Sequence, residues 1–272
     1  MAILSALPEE QQGLADLLDN ARASRHAGRA LCSGQLRGEE LLLALSGVGK
    51  VSAATTATLL IERFDVRAIV FTGVAGGLAG HVKVGDIVIA DALLQHDIDA
   101  SPLFPRFEVP YTGRSRFPVD AALTARLAAA AEAWCAEVRA VGVDRAMPAV
   151  PIAIDAEVVE SFALQQTRPH RGLLIAGDRF VASATESSAL RQALPDALAV
   201  DMESAAVAQV CWDYGVPFAA MRTVSDRADD AAHVDFPAFL AEVAGAFARG
   251  VIGRMLKITS PCAGNTASVR RR

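Results

Sequence analysis

Short runs of Ile, Val and Leu alternate along the chain with alanine-rich stretches, a pattern that reads as strand followed by helix. AILSAL (2–7) predicts a first strand, and PEEQQGLADLL (8–18) a helix, because Pro8 suits a first turn and Glu9 and Glu10 favour the positive helix N-terminus. ELLLALSG (40–47) predicts a strand, with a helix from Gly49 to Glu62. AIVFTG (68–73) and DIVIADALL (86–94) predict core strands around a turn, GVAGGLAGHVKVG (73–85). Prolines and aromatics over 101–118 predict an ordered but irregular loop. DAALTARLAAAAEAWCAEV (120–138) predicts a helix, GLLIAGDRFV (172–181) and VPFAAMRTVSD (216–226) two strands, and FPAFLAEVAGAFARGVIGRML (236–256) a closing helix. No clear period runs through 139–171, a candidate insertion, and ITSPCAGNTASVRRR (258–272) reads as a flexible tail. With one composition regime and no internal repeat, residues 1–257 are expected to form a single α/β layered domain.

A chain of 272 residues, 52% hydrophobic, has ample material for such a core. Its net charge of −5 leaves no basic footprint, so nucleic acid is not an expected partner. Mean hydropathy is +0.30, but charged residues or glycines interrupt every apolar run before about 18 residues, so no membrane span is expected. The start, MAILSALPEE, has no basic leader, and Cys32, Cys135, Cys211 and Cys262 lie far apart without a CxxC pair; both point to a cytoplasmic protein with free thiols. In QHDIDAS, His96, Asp97 and Asp99 admit a metal reading, but a polar turn after a strand is the simpler one. No metal or cofactor is expected.

Two glycine loops follow strands. SGVGK (46–50) would need Gly at position 44 and Ser or Thr at 51 to cradle a nucleoside triphosphate; the residues are Ala44 and Val51. TGVAGG (72–77) lacks dinucleotide spacing. They are either plain tight turns or places where a small ligand meets backbone.

AVDMESAAVAQV (199–210) poses a sharper problem, because the stretch from Met202 onward is apolar on nearly every side and Glu203 opens it. Such a helix is normally buried, and an unpaired carboxylate at its mouth is costly. Glu10 follows the first strand, Arg222 lies inside the apolar FAAMRTV, and Asp226 ends that strand. Each alone admits a bland reading as a cap, a surface acid or a structural ion pair. Together, acids at the carboxyl ends of several strands converge on one crevice.

ALPEE (6–10), SGVGKVSAA (46–54), TGVAGGL (72–78), VGDIVIAD (84–91), GDRFV (177–181), AVDMESAAVAQVC (199–211) and VPFAAMRTVSDRAD (216–229) occur in one order. In them the chain resembles the 5′-methylthioadenosine/S-adenosylhomocysteine nucleosidases of the purine nucleoside phosphorylase-like family. The resemblance implies a three-layer αβα fold with a central mixed, largely parallel twisted sheet. It also implies hydrolysis of the N-ribosidic bond of an adenine nucleoside, with water as second reactant and a homodimer as the working form. Asp226 would protonate the departing base and therefore needs a partly desolvated site. Glu10 would activate water, Glu203 would accept the ribose hydroxyls, and Arg222 would pair with Glu203 and help hold the water. Asp201 would cap the helix. By the same resemblance Phe180 would stack on adenine, the Val181 backbone would read its edge, and Met202 would pack under the sugar. Val48 and Leu7 would line the sugar and 5′ region and Phe236 the alkylthio pocket. Phe104, Phe107 or Tyr111 of a second copy would complete that pocket, or else pack locally. Family members often carry serine where this chain has Val74, so Asp226 would be oriented by Ser225 or by backbone near Gly76.

Two other readings stay open: a phosphorolytic relative, and a nucleoside-binding protein without turnover. An NAD-dependent oxidoreductase is disfavoured by the glycine spacing. Phosphorolysis needs arginines or backbone nests around an anion, whereas the first loop offers Glu9 and Glu10.

Overall fold

The structure, a computed structural model, describes residues 1–141 and 154–256. Strands β1 (Ala2–Ser5), β2 (Asp19–His26), β3 (Arg29–Leu36) and β4 (Glu39–Leu45) precede helix α1 (Lys50–Phe64). Next come β5 (Ile69–Phe71), β6 (Val74–Gly77), β7 (Ile87–Gln95) and β8 (Arg116–Pro118), then α2 (Ala121–Ala140) and the short α3 (Ala156–Ser161). The remainder alternates: β9 (Pro169–Ala176), α4 (Ala184–Ala193), β10 (Ala197–Asp201), α5 (Ser204–Tyr214), β11 (Phe218–Asp226), α6 (Ala232–Phe239) and α7 (Gly245–Met255).

These strands form one sheet in the order β2-β3-β4-β1-β5-β11-β6-β10-β9-β7-β8. Pairing is parallel from β4 through β1 and β5 to β11, and again through β7, β9 and β10. Antiparallel hairpins, β2–β3–β4 and β7–β8, form the two edges. Strand β11 borders three partners in turn: β5 at Phe218–Ala220, β7 at Met221–Thr223 and β6 from Thr223 to Asp226. Through the β7 pairing the sheet curls and closes on itself.

Successive side chains of a strand point to opposite faces. Ile3, Val70 and Ala219 accordingly join the core under α2 and α7, where the Trp134 and Phe247 rings meet at 5.6 Å. Ala2, Leu4, Ile69, Phe71 and Phe218 face the opposite layer, with Ala53, Ala57 and Leu60 of α1 and Ala205, Val207 and Ala208 of α5. Strands buried on both faces read as continuous apolar runs, which is why these were visible in the sequence. The result is the expected three-layer αβα arrangement around a mixed, largely parallel sheet.

Several local expectations are corrected. Residues 8–18 form two separate 3-10 turns, Glu9–Gln11 and Ala15–Leu17, because Gly13 between them takes a left-handed φ of +75°. The expected turn at 73–85 contains β6, whose backbone is buried and needs partners on both sides. The 172–181 strand stops at Ala176, and 177–181 form a loop. Strands β2, β3 and β10 and helix α4 were not anticipated. The closing helix starts at Ala232 and contains a π segment, Leu240–Ala244, just after Pro237, whose missing N–H breaks the regular ladder. Against expectation, Phe236–Met255 is long and apolar enough to cross a membrane by composition; in this fold 56% of it is buried, as a core helix is. Most of the candidate insertion's core (142–153) and the tail (258–272) fall outside the described residues.

Candidate active site

The carboxyl ends of β1, β10 and β11 and the length of β6 line a cleft that opens to solvent. Glu10, Glu203 and Asp226 all line it, brought from three distant parts of the chain. Ligands of open α/β sheets bind at this end of the strands.

Glu10 sits in the 3-10 turn after β1 and is only 4% exposed. Its Oε2 accepts the amides of Ala6 (2.8 Å) and Leu7 (2.9 Å), and its Oε1 accepts the amide of Val74 (3.0 Å). Gly73 makes room for it, since a Cβ there would lie 2.6 Å from Oε1. Burial raises this carboxyl above its ordinary range, although the Arg222 charge and the three amides pull the other way.

Glu203 stands just ahead of α5, its Oε1 accepting the Gly49 amide at 2.9 Å. Burial and the neighbouring Asp201 charge push it upward, against the Gly49 amide and Arg222. The expected Arg222–Glu203 pair is not formed. Arg222 Nε instead faces Asp201 Oδ2 at 2.7 Å, as a charge contact deep inside the protein. The physical reason is that Asp201, at the end of β10, points back toward β11, while Glu203 lies beyond it and has turned to α1. Asp201 Oδ1 also accepts Glu203 N (3.2 Å), Ser204 N (3.1 Å) and Ser204 Oγ (2.9 Å), so it caps α5 as expected. Arg222, 1% exposed, donates to the carbonyls of Met221 (3.0 Å) and Phe71 (3.3 Å) and lies 4.1 Å from the Phe71 ring centroid. It is beneath the cleft and absent from its lining.

Asp226 ends β11 and is 1% exposed. Ser225 Oγ donates to its Oδ2 and the Ala228 amide to its Oδ1, both at 2.8 Å. Gly76 leaves space for it, because a Cβ there would lie 3.0 Å from Oδ1. Val74 contributes its side chain to the cleft wall and its amide to Glu10. The two alternatives raised for orienting Asp226 are thus both partly realised, through the Ser225 hydroxyl and a backbone amide next to Gly76.

One side of the cleft is apolar. Phe180 and Phe236 meet edge-on with centroids 5.5 Å apart, and Val181 is buried beside them. Met202, Leu7 and Val48 also line the space. Sequence reasoning missed Arg179, which stands at the mouth 3.4 Å from Glu186, and the Gly49 amide, whose only advance signal was the glycine in a loop after a strand. Among the described residues, no three His, Cys, Asp or Glu side chains converge as metal ligands would. Phe104 and Tyr111 meet edge-on with centroids 5.2 Å apart in the 101–118 loop, away from the cleft lining.

Residues 1–257 match the sequence model of the phosphorylase superfamily. Among solved structures, the chain is similar to the 5′-methylthioadenosine/S-adenosylhomocysteine nucleosidase of Neisseria meningitidis bound to methylthio-immucillin-A, at 30% identity and TM-score 0.78, covering 94% of this chain and 97% of that one. It is similar to the corresponding nucleosidase of Colwellia psychrerythraea bound to adenine, at 28% identity and TM-score 0.78 over 94% and 93% of the two chains. A futalosine hydrolase mutant of Helicobacter pylori matches at 27% identity and TM-score 0.75 over 94% and 98%.

Proposed function

The chain belongs to the phosphorylase superfamily, and from that premise we propose that it hydrolyses the N-ribosidic bond of a 5′-thio-substituted adenine nucleoside, 5′-methylthioadenosine or S-adenosylhomocysteine, to adenine and the thio-ribose. The observation that carries this reading over phosphorolysis is the occupancy of the Ala6, Leu7 and Val74 amides. Three N–H groups aimed at one point are what an inorganic anion would use, and the Glu10 carboxylate already takes all three. A phosphate entering there would meet a carboxylate in place of a donor.

In this mechanism Asp226, oriented by Ser225 and the Ala228 amide, donates a proton to the purine N7 as the ribosidic bond lengthens. Glu10 takes a proton from the attacking water, and a carboxyl raised by burial is the stronger base for it. Glu203 accepts the ribose hydroxyls and places negative charge beside the developing ribosyl cation. Arg222 serves from below, as the counter-charge of Asp201 and as a positive field felt by both Glu10 and Glu203. Phe180 offers a face to adenine, the Val181 backbone reads its N1 and N6 edge, and Met202 lies under the sugar. Leu7, Val48 and Phe236 take the 5′ substituent. No cofactor enters these steps.

The working form in this reading is a homodimer, with Phe104, Phe107 or Tyr111 of a second copy closing the 5′ pocket. Leu103 and Tyr111 support it, since both stand almost wholly exposed on that loop. The deciding experiment is adenine release from 5′-methylthioadenosine with and without phosphate. Phosphate-independent release of free thio-ribose is expected; strict phosphate dependence with a sugar phosphate as product would replace hydrolysis by phosphorolysis.

A further inference from the structure

The turn that ends β7, Gln95-His96-Asp97, has no part in the chemistry above, yet its Gln95 and Asp97 side chains are held by hydrogen bonds at both polar ends. Lys50 Nζ donates to Asp97 Oδ1 at 2.6 Å and to Gln95 Oε1 at 3.1 Å. The second oxygen, Asp97 Oδ2, accepts the Asp178 amide at 2.9 Å. Asp178 in turn accepts the Lys50 amide at 2.8 Å, and the preceding amide, Gly49, is the one that holds Glu203. His96 donates its amide to the Ala176 carbonyl at 2.9 Å, and its ring packs on Gly177. Any Cβ at Gly177 would collide with that ring and come within 3.0 Å of Asp97 Cγ. Burial works against the Asp97 charge, but the Lys50 ammonium and the Asp178 amide outweigh it and hold the carboxyl below its usual range.

The ends of β7 and β9 and the start of α1 are therefore joined in a closed circuit of hydrogen bonds that reaches to within two residues of Phe180. The lysine of SGVGK, which a phosphate loop would spend on an anion, is committed to Asp97. We propose that Lys50, Asp97 and Asp178 form a latch that positions the base-contacting loop (177–181) against the α1 N-terminus, fixing Phe180 and Val181 relative to Glu203. The inference rests on reading the cleft as a purine-nucleoside site. These are positioning residues, touching no substrate and acting through the loop backbone. Without the latch, the five loop residues 177–181 would have to be ordered by the ligand itself, and that entropy would be taken from binding.

The test uses Asp97→Ala and Lys50→Met, singly and together, with two readouts: calorimetric Kd for adenine, and KM and kcat for 5′-methylthioadenosine. Each single variant is expected to raise Kd and KM about fivefold, as for a partly exposed charged hydrogen bond, while kcat changes less than about twofold. The double variant should be no worse than the poorer single, because one circuit is already broken. Unchanged adenine Kd in both singles, even with a lowered Tm, or effects that multiply in the double, would overturn the latch. If the parent binds adenine but does not release it from nucleosides, the nucleosidase reading fails and the Kd comparison still decides the latch; a parent that does not bind adenine sinks both.

Discussion

Replacing Asp201 by Asn removes the counter-charge of a guanidinium that is 1% exposed, while leaving an oxygen to accept Glu203 N, Ser204 N and Ser204 Oγ. The α5 cap survives, so the perturbation is almost purely one of charge. Deleting one partner of a buried ion pair costs about 3–5 kcal/mol. Two features of this site act against the full penalty. The Phe71 face, 4.1 Å from the guanidinium carbon, remains, and a desolvated cation over a ring gains about 2 kcal/mol. Glu203 also loses a like-charged neighbour, so its carboxyl ionises more readily and supplies some of the missing negative charge. The expected loss is therefore at the lower end, about 3 kcal/mol. For a chain of this size that is a fall in Tm of roughly 6–12 °C. Denaturant unfolding at neutral pH measures it, with Arg222→Met and the Asp201→Asn/Arg222→Met double as companions. The double should recover most of the stability, since the orphaned charge is gone with its partner. A single variant within about 1 kcal/mol of the parent, or a double as unstable as the two singles summed, would refute the account of this pair.

Asp226→Asn should lower adenine release by about 10²–10⁴-fold with an unchanged circular dichroism spectrum, and undiminished turnover would remove the general-acid role. Gly73→Ala places a Cβ 2.6 Å from Glu10 Oε1, so that oxygen must shift off the Val74 amide while Oε2 keeps those of Ala6 and Leu7; kcat should fall while adenine binding persists, and parental kcat would show that the Val74 contact is not needed to seat Glu10. The pH dependence of stability follows from two carboxyls, Glu10 and Glu203, whose folded pKa values are raised, Glu203 to about 8. Between the ordinary value of 4.5 and that raised value the native state holds more protons than the unfolded one, so the ligand-free protein should lose stability as pH rises through this window. A Tm that climbs steadily from pH 5 to pH 8 would contradict it.

The central strands and α1, α2 and α5 were legible because burial on both sheet faces writes unbroken apolar runs and because alanine-rich segments keep a helical rhythm. Strands β2 and β3 were not, for a physical reason: DNARASRH (19–26) is exposed almost throughout, so no face of it carries an apolar signal. Strand β6 hid in glycines, its identity set by the neighbours on either side. Within the cleft, the acids could be found from their odd apolar contexts, but not their partners. Arg222 chose Asp201 over Glu203, and only the relative position of two strand ends decides between residues two apart. The Gly49 amide and Asp178 lay in segments whose local sequence specifies a bend and nothing about what the bend faces.

Strand β11 carries Arg222, Ser225 and Asp226 and is stitched successively to β5, β7 and β6, segments well over a hundred positions earlier in the chain. During synthesis, a nascent polypeptide that has emerged only as far as α4 holds Glu10 and most of the sheet but has neither the proton donor nor the guanidinium. Competence then arrives in a single late event, and contacts of such separation in sequence form slowly. Afterwards the same stitching makes this strand the hardest to release, so its amides are expected among the last to exchange with solvent deuterium.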